Sequence, residues 1–428
     1  MDLYNPRNAQ FIVVIYLFDL WIKAFLGFPF AILLDGLLCL FFMRLLINRV
    51  PNYRFFLLMM VFCIFWMVLV KMIYGITTII TSRMPLMLFL MIFLALDFVE
   101  KNANIYLIVK YLKTYLAMLV FFVVADGIFI NFIGSPDILI NILGPAGYRV
   151  LVNGVFFDSV AQGIVPGAQH ASIISCAGII MFYPFIKNDR STKNLALFLL
   201  SIIGLIFSIT NTALVALIIS IILFMLITFR LSILNIFKIS VLVFLVLVLI
   251  NFGYLWLSTR YEVLANASSL DIDIFLNKTI DIFFSPLVNL LKLPLVYALI
   301  GIGHSSISGS GHFAIMKQYN FEYYHADFGY LNMLLEHGII TLFIMFSMYS
   351  YYFIYVGRVV RIIPDSIQKV IMSKMMLVVS IFVLSGIHYT TIAENGIIQF
   401  VIIIGVSAFI LARRYNQKYF NSSISFSG

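Results

Sequence analysis

The stretch YYHADFGYLNMLLEHGII, Tyr323 to Ile340, decides how the whole chain is read. It has the apolar density of a helix entering a membrane, yet it carries His325, Asp327, Glu336 and His337. On a helix, Asp327, Tyr330, Leu334 and His337 follow 3-4-3 spacing and share one stripe. Gly329, Asn332 and Glu336 form a neighbouring stripe, so the segment predicts a helix with one polar side. A charge at mid-bilayer costs roughly 2.5–3.5 kcal/mol on insertion scales, so such groups face a bundle interior or a wet cavity. On a continuous helix Glu336 would sit about 13 Å deeper than Asp327. The plain alternative is a set of interhelical hydrogen bonds with no chemistry attached.

The flanking sequence fits a membrane. Of the 428 residues, 63% are hydrophobic and 11% charged, against about a quarter charged in soluble domains. The apolar runs are long and continuous, not alternating in units of about ten, which excludes a strand barrel. The chain therefore predicts an all-α, polytopic integral membrane protein, a single transmembrane domain over 1–428 with about 12 transmembrane helices. Spans are expected at 8–27, 29–47, 55–75, 84–100, 114–133, 168–186, 195–209, 211–229, 239–257, 327–356, 370–389 and 396–412. The apolar run 195–229 is too long for one crossing and is split at Thr210-Asn211-Thr212 as a tight hairpin. The N-terminal apolar run carries Asp19 and Lys23 and no small-residue cleavage site follows, so it is expected to be the first span. The closing NSSISFSG is expected to be a disordered polar tail.

Charge sets the orientation. Most of the 27 basic residues fall in short loops on one side, among them Arg44, Arg49, Arg54, Lys187, Arg190, Lys193, Arg358, Arg361, Lys369, Lys374, Arg413 and Arg414. By the positive-inside rule that side is cytoplasmic and both termini lie there. The net charge of +9 then reflects topology, not a nucleic-acid surface. The six histidines and the long loops, at 134–167 and 258–326, fall on the outer face, where no ATP is available. The three cysteines, Cys39, Cys63 and Cys176, lie inside apolar runs, so neither a disulfide nor a metal site is expected.

The longer loop has structure of its own. DIDIFLNKTIDIFF puts Ile272, Phe275, Leu276, Ile280 and Phe283 on one helical face and Asp273, Asn277 and Asp281 on another, a pattern suited to the bilayer surface. In SPLVNLLKLPLVYALIGIG, Ser285 and Pro286 suit a helix start. The run is too short to cross and is broken at Pro294, which predicts an interfacial or re-entrant piece. GIGHSSISGSGH then places Gly301, Gly303, Gly309 and Gly311 among serines, a loop whose amides could approach phosphate, or a plain flexible turn. It lacks the Gly-Lys-Ser/Thr ending of a nucleotide loop. In the smaller loop Arg149 stands against the charge trend, where headgroup anchoring is the even alternative. Ser208, Thr210, Asn211 and Thr212, and likewise His388 and Glu394, could share the cavity but suit ordinary turns.

Taken in order, the Arg149–Asp158 segment, SITNTALVAL, Arg260 opening the long loop, LIGIGHS and DFGYLNMLLEHGIIT resemble the Wzy-type O-antigen polymerases of the O-antigen ligase and polymerase superfamily. The resemblance implies a metal-independent glycosyl transfer without cofactor on the periplasmic face of the bacterial inner membrane. A growing glycan would leave undecaprenyl diphosphate and join the sugar of a new lipid-linked repeat unit. Outer-loop arginines would hold the diphosphates, since guanidinium forks bind such oxygens in bidentate fashion. Arg149 and Arg260 are the foremost, then Arg83, Lys292 and Lys317. The acceptor hydroxyl needs a base within hydrogen-bond reach: Asp327 or His325 first, Glu336 and His304 next. Gly301, Gly303, His304 and Tyr330 would contact substrate. Implied partners are the donor and acceptor glycan lipids, the bilayer, a chain-length regulator and a flippase, with no nucleic acid. Asp327 occupies the place where the ligases of the superfamily tend to carry histidine, which favours polymerase. Val160 and Asp271 stand where the spaced Arg-to-Gly motif of some polymerases would have glycine. The alternatives are an O-antigen ligase acting on lipid A core, and a lipid-linked oligosaccharide flippase. A flippase would spread its charges along a central path and have short loops on both faces.

Overall fold

The computed structural model describes residues 99, 105–129, 132, 168–183, 191–208, 211–228, 290–301, 329–364, 366–386 and 397–425. Every regular element among them is helical: α1 (Ile105–Ile128), α2 (Ala168–Phe182), α3 (Thr192–Ser208), α4 (Asn211–Thr228), α5 (Leu295–Ile300), α6 (Gly329–Ile362), α7 (Ile367–Ser385) and α8 (Ile397–Ser425). Among the described residues, three stretches are long and apolar enough to cross a membrane: Tyr106–Ile128, Gly338–Ile362 and Ile367–Ser385. The described part of the chain is thus helical and suited to a bilayer. The spans expected at 8–27, 29–47, 55–75, 84–100 and 239–257 lie outside the described residues, apart from Val99. So do both loops except for 290–301.

Local chemistry sets several helix ends. α3 starts where the Ser191 hydroxyl accepts from the Asn194 amide at 3.2 Å. α7 starts where Ser366, just beyond Pro364, accepts from the Lys369 amide at 3.4 Å. Both serines satisfy amides that a first helical turn leaves without intrahelical partners. α3 ends at Ser208 and α4 begins at Asn211, two elements on either side of the start of the polar triplet expected to part them. Other ends move. α1 begins at Ile105 rather than 114 and takes Lys110 and Lys113 into the helix, with Lys110 exposed. Long cationic side chains let a helix run past its apolar section while the charge stays solvated. α8 continues to Ser425 rather than stopping near 412. Its extension is anchored by Tyr415 against the core, so the first five residues of the expected disordered tail are helical.

α1, α2 and α3 pack closely against one another. Gly178 of α2 faces Ser201 of α3 and Val120 of α1, while Gly204 of α3 faces Ser175 and Val124. α2 therefore runs antiparallel to α3, and α1 runs parallel to α3. A methyl group at Gly178 would lie 3.0 Å from Ser201 Cβ and 3.1 Å from Val120 Cγ2. The hydroxyls of Ser175 and Ser201 turn back to the carbonyls of Ala171 and Leu197, at 2.8 and 2.7 Å. Small residues with inwardly satisfied hydroxyls let helices approach closely, which is what holds helices together where lipid is as apolar as the core. On the other side, Phe400 of α8 stacks on Tyr115 of α1 at 5.8 Å and meets Phe382 of α7 at 6.2 Å. Tyr355 of α6 meets Phe409 of α8 at 5.1 Å.

Lys374, counted among loop cations on sequence, is buried in α7 at 2% exposure. Its ammonium donates to the Tyr183 and Met181 carbonyls at 2.7 and 3.3 Å. These are among the last carbonyls of α2, which carry partial negative charge and have no amide donor further along the helix. One cation thus closes the end of α2 against α7, and it orders the bundle: the C-terminal end of α2 and the N-terminal ends of α3 and α7 share one level.

Candidate functional site

The opening segment folds in a way that its sequence did not foretell. α6 is interrupted at Gly338, with φ 77° and ψ 169°. The ring of Tyr330 lies 5.0 Å from that of Phe346. These residues stand eight positions to either side of Gly338, and in a straight helix they would be about 24 Å apart. The chain therefore turns back at Gly338, and the two arms meet at an acute angle. The long arm, Gly338–Ile362, is the membrane-crossing stretch; the short arm, 329–337, lies back along it.

This corrects the continuous span expected over 327–356. The crossing stretch begins at Gly338 and ends at Ile362. The depth expected for Asp327 relative to Glu336 lies outside the described residues, but the course of the short arm is set. Glu336 belongs to its last turn, next to the fold-back, while Tyr330 lies beside Phe346, eight residues along the long arm. The reason is a backbone one: the conformation at Gly338 is in a region open essentially only to glycine, and it ends the hydrogen-bond ladder there.

α5 docks on the fold-back. A methyl group on Gly338 would collide with the Leu299 carbonyl and lie 2.6 Å from the Gly301 amide nitrogen. α5 itself begins after Leu293-Pro294, at the break predicted for Pro294. It ends at Gly301, with φ 85° and ψ 168°, whose amide donates to the Tyr297 carbonyl at 2.7 Å. Two glycines in glycine-only conformations thus face each other, one from LIGIGHS and one from DFGYLNMLLEHGIIT. Residues far apart in sequence are clasped backbone to backbone.

The short arm is pinned at its other end. The Tyr330 hydroxyl donates to the Val383 carbonyl of α7, and Tyr330, Leu334 and Leu335 are buried. Val383 lies about nine residues beyond Lys374, and Ser172 about nine before Met181. Antiparallel α2 and α7 therefore carry Ser172 and Val383 to about the same level. At that level the Ser172 hydroxyl donates to the Ser208 carbonyl and lies 3.3 Å from the Ser208 hydroxyl. Ser208 in turn donates to Gly204 at 2.7 Å. Asp126 and His170 are buried close to the same height, Asp126 beside Gly127–Phe207 and His170 two residues before Ser172. A layer of buried polar groups, with a carboxylate and an imidazole among its members, crosses the bundle opposite the Lys374 end. Asp126 was not singled out on sequence. The available signal was a lone carboxylate in the last turn of an apolar 24-residue helix.

The other predicted site residues divide plainly. Tyr330 and Gly301 are brought into this region, and Lys292 is exposed just before α5. Glu336 and His337 lie in the last turn of the short arm. His325, Asp327, Arg149, Arg260, Arg83, Lys317, Gly303 and His304 lie outside the described residues, as do Thr210, His388 and Glu394. Cys176 is buried, its thiol 3.7 Å from the Ala213 carbonyl. Among the described residues no three His, Cys, Asp or Glu side chains are grouped to hold a metal. Comparison with models of known protein families finds no match, and neither does comparison with curated proteins.

Proposed function

We propose that this chain is a membrane glycosyltransferase of the O-antigen polymerase type, extending glycans carried on undecaprenyl diphosphate at the periplasmic face of a bacterial inner membrane. The observation that carries the reading is the clasp of Gly301 on Gly338. It joins two of the motifs that carry the resemblance, and the short arm it bounds is pinned at its other end, through Tyr330, at the level of a buried polar layer. In this reading the acceptor sugar hydroxyl gives its proton to Asp327 or His325 and attacks the anomeric carbon of the donor. The bond from that carbon to the diphosphate oxygen breaks, and the leaving diphosphate carries its negative charge to Arg149 and Arg260. Guanidinium groups stabilise that charge where it develops. The lipid tails remain in the bilayer throughout, so the site needs an open side toward lipid.

The test uses the full chain in a strain lacking its own copy, with surface glycan displayed by size. Arg149→Ala and Arg260→Ala should insert normally, shown by membrane fractionation, and leave core bearing a single repeat unit. A normal ladder from both variants refutes the reading. Bare core on deletion would identify a ligase. Transfer of labelled glycan lipid across a vesicle membrane with no new glycosidic bond would identify a flippase.

A further inference from the structure

The surface around α5 carries more than the clasp. α5 has six residues and is about 9 Å long, far too short to cross a bilayer. One side of it is docked, with Leu293 and Ala298 buried. The other side is open and apolar: Leu291, Leu295 and Val296 are 85, 74 and 57% exposed. Isolated exposed leucines mean little, but these three lie within six residues of one another, with the exposed Lys292 and Pro294 between them. The ridge also has a neighbour of the same character. α5 sits on Gly338, where the crossing stretch of α6 begins, and Ile339, Phe343 and Phe346 at that end of the long arm are exposed as well.

From this arrangement we infer that α5 and the turn before it form a lipid-bound lip at the membrane–water boundary. Leu291, Leu295 and Val296 lie among acyl chains, and the Lys292 ammonium reaches anionic headgroup phosphates. Three points select bilayer lipid as the occupant. The ridge continues an apolar surface that belongs to a membrane-crossing helix. Its position is the head of that helix, where acyl chains meet headgroups. Its one cation stands among leucines, an arrangement in which a lysine stem stays in the apolar zone and its charge rises to phosphate. The clasp then has a consequence: because Leu299 and Gly301 bear on Gly338, the lip fixes the height of the α6 fold-back relative to the headgroups. This inference does not depend on the glycosyl-transfer reading and survives its failure.

The test places single cysteines at Leu291, Leu295 and Val296 in the full chain, after replacing Cys39, Cys63 and Cys176. The protein is reconstituted in phosphatidylethanolamine–phosphatidylglycerol vesicles. Nitroxide labels report collision with oxygen, which concentrates in lipid, and with a water-soluble nickel chelate. Phe343→Cys is the lipid-facing control and Ala298→Cys the protein-covered one. All three ridge positions should follow the Phe343 control, with a several-fold excess of oxygen collision. Lys292→Glu should shift Leu295→Cys toward the chelate in these vesicles and leave it unchanged in pure phosphatidylcholine. Collision mainly with the chelate would put the ridge in water and overturn the inference. Low collision with both reagents, as at Ala298, would put it under another part of the chain or a second protein, and would overturn it equally.

Discussion

Gly338→Ala should unfasten the fold-back. The backbone there has φ 77° and ψ 169°, a conformation whose cost in a residue with a side chain is of order 1–3 kcal/mol. The added methyl would also collide with the Leu299 carbonyl and lie 2.5 Å from its carbon and 2.6 Å from the Gly301 nitrogen. These are backbone atoms of a docked helix, so no rotamer change relieves the contact. Steric insertion into a packed site costs typically about 1–3 kcal/mol more. Together the two effects come to roughly 2–6 kcal/mol, enough to favour release of α5 or straightening of α6. The assay is a short thiol cross-linker across Tyr330→Cys and Phe346→Cys in a background without native cysteines. Those rings lie 5.0 Å apart in the fold-back and the positions about 24 Å apart in a straight helix. Cross-linking should be efficient while Gly338 is kept and largely lost once Gly338→Ala is added. Equal cross-linking in both backgrounds, with unchanged thermal stability, would refute the reasoning.

Three further outcomes follow from particular contacts. Lys374→Met leaves the Met181 and Tyr183 carbonyls without their cation and should cost about 1.5–3 kcal/mol, seen as a lower unfolding temperature in detergent and partly restored by Lys374→Arg. Gly178→Ala forces a methyl onto Ser201 and should destabilise by about 1–3 kcal/mol, while Gly178→Ala with Ser201→Gly should recover most of it in a double-mutant cycle. Tyr330→Phe removes the hydrogen bond to Val383 and should cost about 0.5–1.5 kcal/mol, with, on the proposed polymerase reading, a matching small fall in glycan length; on that reading, loss of polymer at unchanged stability would instead give the hydroxyl a direct part in transfer.

Much of the fold is legible in the letters because lipid imposes a severe rule. A backbone in hydrocarbon must satisfy its own hydrogen bonds, so long apolar runs become helices wherever they occur. Hence the separate helices ending at Ser208 and beginning at Asn211, the break at Pro294 and the helices over 168–182 and 367–385 follow the sequence closely. The errors come from groups whose surroundings are not local. Lys374 reads as a loop cation because nothing near it in sequence indicates two carbonyls of α2 as its partners. Ser208 reads as a turn former, and nothing local marks Ser172, Ser175 and Ser201, although all four lie where α2 and α3 pack together. In HGII, Gly338 looks like any glycine tolerated in a membrane helix.

Composition and periodicity alone determined that this chain is helical and built for a bilayer, and they drew attention to the polar stretch around Asp327 and Glu336. Only the tertiary structure decided that this stretch turns back on itself, that its tip is held by Gly301, and that Tyr330 lies against Phe346. The physical reason is that hydrophobicity and hydrogen-bond closure act along one helix at a time, whereas a reversal depends on what presses against the turn. At Gly338 it is the backbone of Leu299 and Gly301, contributed by a segment nearly forty positions earlier in the chain.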